Sequence, residues 1–281
     1  MKHFIIITNR EKDPELEVTK RVESFLMQRG CTCSIYSEER SSGQWIQKPA
    51  ERKASGILVL GGDGTLLKAA EGASCTGIPV LGINLGTMGY LAEVERSNLE
   101  QALAKLVEGD YVVEERMMLS GQVLRQGEVL EDTCALNDIT ITRNGHLQML
   151  FFQIFVNGRL LKEYHADGII LATPTGSTGY NMSAGGPIVE PGAKLILLTP
   201  ICPHTLQTRS VILRAEDEIA IRVKERGGRE KQDMEACFDG SKNLSLRPGD
   251  EVRISRSPRV TPIIKLSEAS FLEVLHRKLS E

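Results

Sequence analysis

Residues 57–72 read ILVLGGDGTLLKAAEG, and this stretch decides the fold class. Ile57 to Leu60 form a short apolar run of the kind that makes a strand buried on both faces of a parallel sheet. Gly61-Gly62 turns the chain, and Thr65 to Ala70 carries a helical pattern. Asp63 is thereby placed at the carboxyl end of a strand and beside a helix N-terminus, the position where open α/β sheets bind ligands.

The surrounding sequence repeats the alternation. Phe4–Thr8 is strand-like and leads into DPELEVTKRVESFLMQRG (13–30), with Asp13 as the expected N-cap, Pro14 at the first helical position and Gly30 as the stop. Val18, Val22, Phe25 and Leu26 give it an apolar stripe at helical spacing. Cys31–Tyr36 predicts a second strand, SEERSSGQW (37–45) a loop and Pro79–Asn84 another strand. In SNLEQALAKLVEG (97–109), Ser97 and Glu100 predict a capping box and Gly109 a terminator. Residues 1–110 therefore predict an α/β domain built on a parallel, doubly wound sheet.

Beyond Tyr111 the pattern changes to short β-rich runs: Ser120–Leu124, Ile139–Thr142, Leu150–Val156, Ile169–Thr173, Ile219–Val223 and Val252–Ser255. Turn sequences such as VNGR, RGGR and RPGD separate them, so residues 111–265 predict a β-rich C-terminal domain. The amphipathic EASFLEVLHRKL near the end predicts a helix, with 266–281 returning to pack on the first domain.

Composition narrows the function classes. The 281 residues carry a formal net charge of −3 with lysine and arginine scattered, which offers no footprint for nucleic acid or an anionic membrane. Apolar runs such as Leu195–Leu198 are too short to cross a bilayer. KHFIIITN (2–9) enters strand-like sequence at once, so no signal peptide is expected. The six cysteines, Cys31, Cys33, Cys75, Cys134, Cys202 and Cys237, show no CxxC pairing, which argues against a zinc site or a disulfide framework. A reduced, cytoplasmic setting is expected.

Three stretches carry chemistry. In the first, Asp63 is either the N-cap of the following helix or a carboxylate reaching a substrate hydroxyl, with Gly61 and Gly62 letting phosphate approach the backbone. No Gly-Lys-Ser/Thr follows, so it is not a Walker A loop. The second is HADGIILATPTGSTGYNMSAGGPIV (165–189). Its glycines expose amides, its hydroxyls add donors suited to phosphate oxygens, and Tyr180 either stacks on a base or plugs the core. The third is CALNDITITRN (134–144), where Asn137-Asp138 is either turn chemistry or a recognition pair for an adenine edge and ribose hydroxyls.

Taken in order, LGGDGTLL, LND, DGIILATPTGSTGYNMSAGGPIV and LTPICPHTL…RSVIL resemble the bacterial NAD kinases. GGDG by itself is shared with phosphofructokinases and with diacylglycerol and sphingosine kinases; the long second motif is the specific one. The resemblance implies phosphorylation of the adenosine 2′-hydroxyl of NAD by ATP with a divalent metal, magnesium. It also implies a homodimer or homotetramer, with the site shared between domains and sometimes subunits. Carried over motif by motif, it makes Asp63 the proton acceptor, with Gly64 lining the same loop and Lys68 meeting a phosphate. Asn137 and Asp138 hold the adenosine of NAD, and His165 and Asp167 supply further polar contacts. Thr178, Gly179, Tyr180, Asn181, Met182 and Ser183 wrap the dinucleotide, and Gln148 aligns loosely with another contact. The chain departs from the common pattern in having Asp138 for glutamate, Gly179 for alanine and His165 for arginine. No acidic metal cluster is evident, so the ion is expected on phosphates and water. The rival readings are a lipid or sugar kinase with the same loop, and a non-catalytic NAD-binding sensor.

Overall fold

β1 (His3–Thr8), β2 (Thr32–Ser37), β3 (Gly56–Gly61) and β4 (Val80–Asn84) pair in parallel in the order β2-β1-β3-β4. This is the arrangement in a computed structural model that describes residues 1–38, 53–86, 89–144, 149–204, 209–224, 234–267 and 269–280. Contacts divide the chain into two compact units, Met1–Arg116 with Arg259–Glu281, and Met117–Pro258. Both changes of unit fall inside long strands, β6 (Val112–Arg125, paired with β7, Glu128–Ala135) and β17 (Glu251–Lys265), rather than at the composition change after Tyr111.

In the first unit, α1 (Glu17–Gln28), α2 (Asp63–Thr76) and α3 (Leu99–Glu108) accompany the sheet. Phe4, Ile6, Leu58, Leu60, Leu81 and Ile83 form one buried face with Val22 and Leu26 of α1 and Leu99, Leu103 and Leu106 of α3. The alternate residues Ile57 and Val59 point to the opposite face, where Leu66 of α2 lies over Gly82. Helices on both faces explain why the strands are apolar throughout. β5 (Val94–Glu95) adds beside β4, and Ile263 pairs with Val80. The order reverses between β1 and β3, so the crevice that such a sheet offers a ligand lies at their carboxyl ends.

Two helix starts differ from the sequence expectation. α1 begins at Glu17, after Leu16 at φ 57°, and not at Pro14. Asp13 still serves it, accepting hydrogens from Val18 N, Thr19 N and Thr19 Oγ1. The Ser97/Glu100 capping box does not form: residues Arg96–Asn98 make a 3₁₀ turn, and Glu100 accepts from Arg21 Nη2 at 2.7 Å instead. The capping box that does form is Ser270 with Glu273, opening the C-terminal helix Phe271–Leu279, which lies in the first unit. Gly30 and Gly109 stop α1 and α3 at φ 74° and 85°.

The second unit is antiparallel. β8 (Asp138–Arg143), β11 (Gly168–Ala172), β12 (Leu195–Ile201), β13 (Val211–Arg214), β15 (Met234–Phe238) and β16 (Lys242–Leu246) form one sheet, ordered β13-β12-β11-β8-β15-β16. A second layer holds β9 (Leu150–Val156), β10 (Arg159–Ala166) and β14 (Ile219–Val223), the last paired with residues 251–254 of the long strand Glu251–Lys265. Ile139, Ile141, Ile169 and Leu198 of one layer meet Phe152, Ile154, Ile221 and Val252 of the other in a single core. VNGR is the β9–β10 hairpin turn, with Asn157 at φ 51° and Gly158 at φ 75°, as a type I′ turn requires. RGGR lies outside the described residues. Among the described residues no helix is long and apolar enough to cross a membrane.

Candidate active site

Gly61 ends β3 and Gly62 precedes α2, so Asp63 is the first helical residue. The N-cap position is Gly62, which has no side chain to close the helix end. The Asp63 carboxylate crosses to the segment after β4, where Oδ2 accepts from Tyr90 N at 2.7 Å and Oδ1 from Leu91 N and Ala92 N at 3.2 Å. A carboxylate offers about four lone-pair positions, so Oδ2 keeps one acceptor position. Two glycines make room: a side chain on Gly61 would meet that of Thr65, and one on Gly89 would overlap the Asp63 carboxylate. A side chain on Gly64, by contrast, would meet nothing within 4 Å. Lys68 does not stand alone beside this loop. Its Nζ is 2.5 Å from Glu38 Oε1, while Glu38 Oε2 accepts from Thr65 Oγ1 at 3.0 Å.

The second unit assembles its own constellation from three loops. Thr173 binds the 136–137 backbone twice, N to Asn137 O at 2.8 Å and Oγ1 to Leu136 O at 2.6 Å. Gly176 packs so closely on Asn137 that a Cβ there would overlap the Asn137 carbonyl. This contact fixes the Asn-Asp pair against the 3₁₀ turn Thr175–Thr178. From the third loop, Asp239 accepts from Leu136 N, Asn137 N and Asp138 N at 2.7, 2.7 and 3.1 Å. Asp239 and Gly240 have φ 49° and 65°, the turn between β15 and β16. Its only trace in the sequence is the Asp-Gly pair of CFDGSK, a turn signal.

Within this constellation the Oδ1 atom of Asn137 and the Oγ1 atom of Thr175 are buried without a hydrogen-bond partner. Such atoms cost free energy unless something binds them. Tyr180, first residue of the short helix α4 (Tyr180–Ser183), is 45% exposed, so it does not plug the core. Burial, then the charges of Cys202, Asp138 and Asp167, push its hydroxyl pKa up. Asn181 is fully buried, its amide donating to Ser177 O and Pro187 O and its oxygen accepting from Thr199. It braces the loop, and Gly186 leaves it the space. Thr178 Oγ1 donates to Thr175 O, Met182 is half-buried and Ser183 exposed. Asp167 accepts from Arg143 Nη2 at 3.2 Å, and the exposed His165 ring lies 4.4 Å from that of Phe151. Gln148 lies outside the described residues.

Asp138 is itself buried, and that burial together with the Asp239 charge raises its pKa from 3.8 to about 7. Between about pH 4 and 7 the folded chain holds a proton here that the unfolded chain has released. The contribution of Asp138 to stability therefore falls as pH rises through that window and levels off above it. Asp138→Asn is expected to raise the melting temperature more at pH 8 than at pH 4, measured by thermal melts across the range. An equal change at both ends would mean that Asp138 is ionised throughout.

Comparisons with known proteins give the chain a family. Residues 43–111 match the family model described as ATP-NAD kinase N-terminal domain, and residues 136–266 the one described as ATP-NAD kinase C-terminal domain. The NAD kinase of Agathobacter rectalis is 44% identical over 284 residues, covering 99% of each chain. That of Lachnospira eligens is 42% identical over 293 residues, covering 99% of this chain and all of its own. Among solved structures, an NAD kinase from Archaeoglobus fulgidus in complex with ATP superposes with a TM-score of 0.79 at 26% identity, covering 99% of both chains. Yeast NADH kinase complexed with NADH gives a TM-score of 0.82 at 23% identity, covering 100% of this chain and 88% of its own, a likeness of fold. With relatives above 40% identity along essentially its whole length, the chain belongs to the NAD kinase family.

Proposed function

We propose that this protein transfers the γ-phosphoryl group of ATP to the adenosine 2′-hydroxyl of NAD, giving NADP and ADP. The observation that carries the reading is the Asp63 carboxylate, held by three backbone amides away from its own helix with an acceptor position left on Oδ2. In the reaction the ribose oxygen bonds to the γ-phosphorus as the bond from that phosphorus to the β–γ bridging oxygen breaks. The hydroxyl proton passes to Asp63, a general-base contribution of about 10²–10⁴-fold. Phosphoryl transfer otherwise demands positioning and charge neutralisation. Magnesium enters with ATP as part of the substrate, its ligands phosphate oxygens and water. Among the described residues no three His, Cys, Asp or Glu side chains converge as a metal site.

In this reading the second unit supplies the dinucleotide contacts. The unpartnered Oδ1 of Asn137 accepts from the adenine amino group, the exposed Tyr180 ring stacks on a base, and Asp138 meets a ribose hydroxyl. His165 and Asp167 add polar contacts, and residues 178–183 wrap the dinucleotide chiefly through backbone and hydroxyl groups. The role given to Lys68 requires its ammonium to exchange Glu38 for a phosphate. We further infer a cytoplasmic homodimer or homotetramer, as the family resemblance implies.

Incubating the purified chain with ATP, magnesium and one acceptor at a time tests the reading. NADP should accumulate from NAD, while diacylglycerol, sphingosine and fructose 6-phosphate stay unmodified. Phosphorylation of a lipid or sugar without NADP overturns the assignment, and NAD binding without turnover makes the chain a sensor.

A further inference from the structure

Lys12 carries a charge to which nothing in the sequence pattern drew attention. It lies in the loop after β1, and that loop is pinned at both ends of its short course. Asn9 N donates to Leu60 O at 2.8 Å, and the Asn9 side chain bonds Glu11 N, Lys12 N and Thr65 Oγ1. The ammonium comes to rest over two glycines: a Cβ on Gly62 would sit 2.8 Å from Lys12 Nζ, and one on Gly86 would sit 3.2 Å from it. Gly62 has φ −133°, a conformation open to any residue. Space above its backbone is therefore what a side chain would take away, and Lys12 fills that space. Gly86 is held in turn by Asn84, whose Oδ1 accepts from Gly86 N at 3.0 Å and whose Nδ2 donates to Gly86 O at 2.8 Å.

The ammonium thus lies at the carboxyl ends of β1, β3 and β4, on the side of the sheet where the strand order reverses. Among the described residues no carboxylate or carbonyl takes its hydrogens. Lys68, the cation that the sequence offered for the same loop, is engaged by Glu38. An exposed, unneutralised ammonium beside the glycine turn at the sheet ends fits an anion with several charged oxygens. A polyphosphate is such an anion.

We propose that Lys12 is a substrate-binding residue of the kinase, its ammonium holding the ATP polyphosphate over Gly62 and Gly86. The proposal rests on the NAD kinase reading for the identity of ATP as donor. Its test uses the full chain and Lys12→Met, with Lys12→Arg as the conservative variant. Binding of ATP–magnesium and of inorganic tripolyphosphate is measured by calorimetry with no acceptor present, followed by KM for ATP and for NAD. Loss of a charge-assisted contact should weaken both phosphate ligands about tenfold to a hundredfold in Lys12→Met. KM for NAD should stay within about twofold, Lys12→Arg should recover most of the loss, and melting should be unchanged because Lys12 is exposed.

ATP and tripolyphosphate affinities within about twofold of wild type in Lys12→Met overturn the proposal. So does an equal rise in KM for NAD, or a wild-type chain that binds neither phosphate ligand. A wild-type chain that forms no NADP yet loses ATP affinity in Lys12→Met removes the NAD kinase reading and leaves the phosphate contact standing.

Discussion

Asp63→Asn is expected to lower kcat for NADP formation by about 10²–10⁴-fold. NAD affinity, measured by calorimetry, should stay within about tenfold, or about 1.4 kcal/mol. The amide matches the carboxylate in shape but cannot take the 2′-hydroxyl proton. The structure adds a cost that isosterism hides, because the Asp63 oxygens accept from Tyr90 N, Leu91 N and Ala92 N. The amide NH₂ of asparagine faces at least one of these donors with another donor. Leaving one N–H without its acceptor costs about 1–3 kcal/mol. Turnover must therefore be assayed well below the variant's own melting midpoint, with the melt recorded beside it. Appreciable activity in a folded Asp63→Asn chain would remove Asp63 from the role of base.

Asp239→Ala is expected to weaken NAD binding by more than about tenfold and to destabilise the fold by about 3 kcal/mol. Its carboxylate is the acceptor for Leu136 N, Asn137 N and Asp138 N, so the truncation leaves a run of adjacent amides without their partner. The Asn137 oxygen and the Asp138 carboxyl then lose the backbone that aims them. ATP binding, assigned to residues of the first unit, should change by less than about twofold. Separate titrations with NAD and with ATP on the folded variant read the difference. An equal loss of both ligands would mean that Asp239 supports the fold at large and not the dinucleotide contacts. The same substitution removes the charge that helps raise the Asp138 pKa, so the pH dependence of stability between about pH 4 and 7 should flatten as well.

Much of the architecture was legible because its causes are local. Apolar runs such as Ile57–Leu60 are strands because both sheet faces are covered, and Leu150–Val156 and Ile219–Val223 fall where the sequence placed them. Gly30 and Gly109 end helices because left-handed backbone favours glycine. Strands such as Arg159–Ala166 and Lys242–Leu246 were not legible. They lie at sheet edges with mostly exposed side chains, so no apolar alternation marks them. Helix starts were misplaced where two local signals competed: Asp13 caps α1 from further upstream, and Glu100 left its capping box for Arg21, 79 residues away in the chain.

By itself the sequence determined the order of elements, the β3–α2 turn that carries Asp63, and the Gly- and hydroxyl-rich loop of the second unit. Each is set by residues within a few positions of one another, through backbone conformation and side-chain period. The tertiary structure alone decided what each charged group faces. It sent Asp63 to the amides of residues 90–92, gave Lys68 to Glu38, set Lys12 over Gly62 and Gly86, and put Asp239 beneath Asn137-Asp138. Those partners lie roughly 25 to 100 residues apart in the chain and meet only because strands pair and helices pack. Where a carboxylate or an ammonium finds its partner is a property of the assembled sheet ends, and no local period encodes it.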